Sequence, residues 1–339
     1  MWVLVVILLF LSAPSSEGAD SSLETTFNSA ASALSRGDLA SAEQGFQSVL
    51  KAQPNNIGAL GNLGVIYSRM GRTRDAVAVY TRALKIAPKE PGLLLNLGLA
   101  HLKEENHAAA KPLFARLLTM RPGDLRAKEL LATSQVYTNE PAKALELLGT
   151  LPSSPSVLYA TGLAHLKLGN RDKARQLLDD SLPAAMTPAQ AAVLRGKAFY
   201  DATLFEDAIR EYRMARELDP ALPGVCLALA RSLISAREND AAQTELRTIL
   251  KQQPKDPEAA YLLGALLVGI GNEAEAEPLL EISRAARPDG WGAYFYLGRA
   301  KLQRDDAKSA VALLEKAAEL NPDDATVLYQ LSRALKAVG

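Results

Sequence analysis

Few side chains of this chain could do chemistry: three histidines, one cysteine and a set of cations at repeated spacing. His101, His107 and His165 are too few and too scattered for most metal sites, and neither H-E-x-x-H nor a histidine with C-x-x-C occurs. Cys226 is the only cysteine, which excludes an internal disulfide, a zinc knuckle and a C-x-x-C redox pair. There is no G-x-S-x-G turn and no Walker A loop, and the glycines of "GALGNLG", Gly58 to Gly64, belong to a different pattern. The expectation is a protein without cofactor or metal and without catalytic activity of its own. Lys197, Arg231 and Arg299 remain, and such cations can meet a carboxylate on a partner.

A repeat sets the spacing of those cations. Arg231 lies 34 residues after Lys197, and Arg299 lies two such steps further on. The same period joins Ala30, Gly64, Gly98 and Ala132; after one step of 30 residues it joins Gly162, Gly196, Ala230, Gly264, Gly298 and Ser332. Twelve residues after each of the first nine stands an alanine, from Ala42 and Ala76 to Ala310, and a further twelve bring a proline in seven cases of nine. Self-similarity at this period marks a solenoid.

Apolar residues within each unit fall at helical spacing. In "NLGVIYSRMGRTRDAVAVYTRALKIAP", Leu63, Gly64 and Tyr67 extend a stripe begun at Leu60, and Ala76, Tyr80 and Ala83 make a second one beyond the Gly71 turn. Two helices of about a dozen residues are marginal alone, so each unit must pack on its neighbours. A glycine inside a helix costs roughly 0.5–1 kcal/mol relative to alanine. Gly64 and Gly298 are therefore expected to let paired helices approach closely, with alanine nearly neutral there and leucine costing about 1–3 kcal/mol.

Leu60, Leu63, Gly64, Tyr67, Ala76, Tyr80 and Pro88 resemble the tetratricopeptide repeat pattern W-x2-L-G-x2-Y, A-x3-F, P, as do Leu94, Leu97, Gly98, Ala110, Phe114 and Pro122. Tyr294, Leu297, Gly298, Ala310 and Pro322 repeat it near the end of the chain. The resemblance implies an all-α fold, a right-handed α-α superhelical solenoid of nine helix-turn-helix repeats plus a C-terminal capping helix. The repeats are placed at 23–56, 57–90, 91–124, 125–154, 155–188, 189–222, 223–256, 257–290 and 291–324, with the cap at 325–339. The fourth repeat is short, and Pro183 falls inside the second helix expected for the fifth, so a local change of superhelical twist is expected from about Leu147 to Thr187.

Lys plus Arg and Asp plus Glu both number 38, which gives no electrostatic footprint for nucleic acid. Trp2 to Leu11 is continuously apolar, too short to span a bilayer and suited to the core of a secretory signal. Residues 1–18 are therefore expected to be a signal peptide cleaved after Gly18, leaving a short segment at 19–22, no membrane span, and an exported protein, periplasmic or secreted. Retention of the segment as an anchor is the alternative.

The family resemblance also implies a concave surface lined by the first helix of each repeat. One row of that surface carries Phe27, Leu95, Tyr159, Leu227, Tyr261 and Phe295; the row one turn further carries Leu99, Leu163, Lys197, Arg231 and Arg299. A partner's peptide or helix segment is expected there, its apolar part toward the first five repeats and an acidic group toward the three cations. The alternative is that the aromatics pack on neighbouring repeats and the cations pair with surface carboxylates. The family's clamp for a terminal carboxylate is absent, since only Asn62 of its residues is in place, and an asparagine ladder stops at Asn62 and Asn96. His101 and His165 occupy the position of Tyr67 and are expected in the core with Cys226, while His107 is expected in solvent. The function expected is a non-catalytic protein-protein interaction scaffold, or else an accessory subunit of an envelope assembly, secretion or polysaccharide-export enzyme complex.

Overall fold

The computed structural model describes residues 21–339, so the apolar segment Trp2 to Leu11 and the cleavage position after Gly18 lie outside the described residues. The chain forms two compact units that divide between Ser181 and Leu182. The first unit holds α1 Ser21–Arg36, α2 Leu39–Ala52, α3 Ile57–Arg69, α4 Thr73–Ile86 and α5 Pro91–Lys103. It continues with α6 His107–Met120, α7 Leu125–Tyr137, α8 Pro141–Leu148, α9 Pro155–Lys167 and α10 Arg171–Asp180. The second unit holds α11 Pro188–Asp201, α12 Phe205–Leu218, α13 Val225–Ser235, α14 Asn239–Gln252 and α15 Pro257–Gly269. It ends with α16 Glu273–Ala286, α17 Trp291–Gln303, α18 Ala307–Leu320 and α19 Ala325–Val338. Among the described residues there is no strand: nine helix pairs and a last single helix make an all-α solenoid fold.

Local chemistry starts several of the first helices and the last helix. The linker prolines Pro54, Pro122, Pro254 and Pro322 are each followed two residues later by Asn56, Asp124, Asp256 or Asp324. The backbone N–H groups of Ala59, Ala127, Ala259 and Val327 donate to those side chains at 2.7–3.1 Å. Such caps satisfy donors that a helix leaves unpaired. Between the two helices of a pair the chain reverses through a left-handed residue, as at Gly71 with φ 77°. Thr203 holds the equivalent place with φ 63°, a conformation that a β-branched residue adopts at a cost.

The repeating alanines are the contact between paired helices. Ala42, Ala76, Ala110, Ala208, Ala276 and Ala310 are completely buried. Gly64, however, does more than bring two backbones together. A Cβ added to it would lie 2.3 Å from Tyr80 Cε1 and 2.4 Å from Tyr80 Cζ, and at Gly98 it would lie 2.5 Å from Phe114 Cε1. The glycine makes room for an aromatic ring, so an alanine must displace that ring, which corrects the expectation of a neutral Gly64→Ala.

Pro183 also departs from expectation: α10 stops at Asp180, so the proline lies beyond the helix and not inside it. A proline disfavours helical geometry in the residue before it, which favours termination upstream. Pro188 takes the first position of α11 behind a Thr187–Gln190 capping box.

Candidate functional site

Phe27, Leu95, Leu99, Tyr159 and Leu163 belong to the first unit. Phe27 is 2% exposed and packs edge-on against Phe46 at 5.2 Å, and Leu99 and Leu163 are buried as well. First helices of neighbouring repeats touch, α1 with α3, α3 with α5 and α7 with α9. These three residues therefore belong to the core and not to a groove surface. Leu95 and Tyr159 are half-buried.

The second unit places its residues differently. Leu227 and Tyr261 are half-buried, while Phe295 is buried between Trp291, at 6.0 Å, and Tyr296, at 5.1 Å. Lys197 pairs with Asp201 on its own helix at 2.7 Å. Arg231 reaches Glu258 at 2.5 Å, and the other oxygen of Glu258 takes Arg287 at 3.0 Å. Among the described residues Arg299 has no such carboxylate; its guanidinium lies over the rings of Phe295 and Tyr296, 5.7 Å from each centroid. The structure thus groups Tyr261, Phe295 and Arg299 around Tyr296, and gives Lys197 and Arg231 carboxylates of their own.

Tyr296 forms one wall of a cavity of about 340 Å³. Ile234 of α13, Tyr261, Leu262, Ala265 and Leu266 of α15, and Ile270 just past it complete most of the lining, with the Asn239 amide as a polar edge. Tyr261 meets Tyr296 edge-on at 5.9 Å. It can do so because α17 carries Gly292, where a Cβ would lie 2.6 Å from the Tyr261 hydroxyl. Burial pushes that hydroxyl up to about 12, helped by Tyr296 and Glu258, so it stays neutral and protonated near neutral pH. Aliphatic walls, two tyrosines and one amide suit an apolar side chain; nothing there resembles a proton-transfer pair.

Of the residues expected on the concave rows, Tyr261 lines the cavity, Phe295 is buried and Arg299 lies over Tyr296, while Tyr296, Ile234 and Ile270 of the lining were not anticipated. One signal was legible: in the row Arg231, Ala265, Arg299, the middle residue is small and leaves a gap between two long side chains.

The remaining reactive groups lie elsewhere. His165 is buried, its Nδ1 3.3 Å from the Asn170 amide, and burial, reinforced by Lys173, holds its pKa below the ordinary value. His101 is lowered by burial against an opposing pull from Glu104. His107, expected in solvent, stacks on Tyr137 at 4.1 Å and 11°, and Cys226, expected in the core, is half-buried. Among the described residues no group of histidine, cysteine and carboxylate side chains is placed to hold a metal ion. Nor is any described helix long and apolar enough to cross a membrane.

Stacked helix pairs with a small, buried contact residue at each crossing define a helical-repeat protein of the kind that binds other proteins. The chain belongs to the tetratricopeptide repeat family, whose sequence models match residues 27–91, 62–125, 95–156, 159–223, 200–266 and 291–334. It is 26% identical over 272 residues to cellulose synthase operon protein C of Pseudomonas fluorescens, covering 73% of this chain and 21% of that protein. It is 38% identical over 71 residues to the photosystem I assembly protein Ycf3 of a Synechococcus species, covering 20% of this chain and 41% of that one. A tetratricopeptide repeat protein from Parabacteroides merdae aligns over 93% of this chain and 99% of its own, at 18% identity and a TM-score of 0.41. The chain spans 21% of the length of the Pseudomonas relative, well short of the whole protein.

Proposed function

We propose that this protein is a non-catalytic interaction scaffold that takes a peptide or helix segment of a partner against the face of the second unit formed by α13, α15 and α17. The observation that carries this reading is the apolar cavity at Ala265, open beside two tyrosines on a surface of first helices. Half-buried Leu227 extends the same face, and Leu95 and Tyr159 offer a smaller apolar contact on the first unit. Filling the cavity with Ala265→Phe should weaken a bound segment about tenfold or more while thermal melting stays near wild type, because an anchor side chain in a desolvated pocket carries much of a contact. Titration of a labelled bound peptide by fluorescence anisotropy measures this, and unchanged affinity would remove the site.

A second reading is favoured by the alignment with cellulose synthase operon protein C over 73% of this chain. In that reading the scaffold serves as an accessory subunit of an envelope assembly, secretion or polysaccharide-export complex. Both readings place the protein outside the cytoplasm, on the strength of Trp2 to Leu11 and the small residues before Ala19. Mass spectrometry of the exported fraction should find an amino terminus near Ala19; an intact Met1 on cytoplasmic protein would contradict export.

A further inference from the structure

We propose that the face around Ala265 selects its partner by two neighbouring groups, an apolar side chain that enters the cavity and a carboxylate that meets the guanidinium of Arg299. The proposal rests on the reading of this face as the binding site and adds the chemistry of the ligand. The cavity sits where the row of first-helix residues drops from arginine to alanine, with Arg231 one repeat before Ala265 and Arg299 one repeat after it. Its walls are mainly Ile234, Leu262, Leu266, Ile270 and two tyrosine rings. Hydroxyl groups of a sugar placed there would lose water and find few partners, whereas a leucine, isoleucine, methionine or phenylalanine side chain would not.

The charge next to this cavity is uncommitted. Arg231 is held by Glu258, which lies 27 residues further on in the next first helix. The residue 27 positions after Arg299 is Thr326, which cannot supply a carboxylate. Among the described residues Arg299 makes neither an ion pair nor a hydrogen bond, and its contacts are the rings of Phe295 and Tyr296. A guanidinium resting on aromatic faces keeps its in-plane N–H groups available, the geometry that suits a carboxylate. Tyr296 joins the two subsites, since one ring both lines the cavity and carries Arg299. Anchor and acid must therefore lie on the same side of the ligand, two residues apart in an extended segment or three to four apart in a helix.

The test pans a displayed library of random short peptides against the full chain, with Ala265→Phe and Arg299→Glu run in parallel and each variant checked for wild-type helicity and melting. The wild type should enrich peptides that combine a large apolar residue with Asp or Glu at those spacings. Ala265→Phe should lose the enrichment, and Arg299→Glu should exchange acidic for basic residues while keeping the apolar one. An enriched acidic peptide should bind Arg299→Glu about tenfold or more weakly in anisotropy titrations. If Ala265→Phe loses binding while Arg299→Glu and a second variant, Arg299→Gln, keep the same acidic motif, the carboxylate assignment is wrong and the binding face stands. If all variants enrich the wild-type set, the face itself is wrong. A wild type that enriches no peptide but binds a neutral oligosaccharide, lost on Ala265→Phe, overturns the peptide in favour of a glycan.

Discussion

Replacing Arg195 by methionine should destabilise the second unit by about 3–5 kcal/mol, the range typical for stripping the partner from a buried charge. Arg195 Nε donates to Glu211 Oε2 at 2.9 Å, linking α11 to α12, and the two side chains are 13% and 3% exposed. Without the guanidinium, Glu211 would lose its ion pair with α11 at a side chain only 3% exposed. Removing both charges, with Arg195→Met and Glu211→Leu together, should recover most of the loss, because the desolvation cost leaves with them. Since α12 packs on α13, and α13 supplies Ile234 to the cavity, the single variant should also weaken peptide binding at that face. Urea unfolding, combined with hydrogen exchange resolved to α11 and α12, separates the second unit from the first. A single variant as stable as wild type would show that the pair is not buried as described.

The sequence period located this architecture because it records steric demands that recur wherever two helices cross. Ala76 and its equivalents have no room for a larger group, so the pattern survives in one chain read alone. Exposure of the first-helix rows is a different matter, because it depends on which side chains of the paired and neighbouring helices pack over each position. Phe27 and Tyr261 share one row, yet Phe27 is sealed against Phe46 while Tyr261 edges a cavity. Arg231 and Arg299 likewise share a row and differ in what stands 27 residues later, Glu258 or Thr326. That contrast was present in the sequence, but it becomes a rule only when the structure shows which residue reaches which. Pro183 was misread for a related reason: the period assigned it to a helix, whereas the backbone ended that helix ahead of it.

Replacing Gly64 by alanine should cost about 1–3 kcal/mol, the scale of overpacking a close-packed core. The new methyl group would fall within 2.3–2.7 Å of three atoms of the Tyr80 ring, and Tyr80 is itself 1% exposed, so the ring has nowhere to retreat. Shortening the opposing side chain should relieve part of the clash, although Leu280 and Leu314 would themselves lie 2.7 Å and 2.6 Å from a Cβ at Gly264 and Gly298. Ala132 with Leu148 and Ala230 with Leu246 occupy the same two positions in other repeats, and all four are buried, so an alanine facing a leucine is a combination this fold already uses. Tyr80→Leu alone should also destabilise, because it leaves a void beside Gly64. In the double variant the methyl group fills part of that void, and the loss should fall short of the sum of the singles by about 1–2 kcal/mol. The first repeat shows another solution: Ala30 faces Phe46, and the glycine has moved to the second helix as Gly45, where a Cβ would lie 2.6 Å from the Ala30 Cβ. Denaturant unfolding of the four proteins in this cycle measures the coupling. Strict additivity would mean that Gly64 is kept for some reason other than the Tyr80 ring.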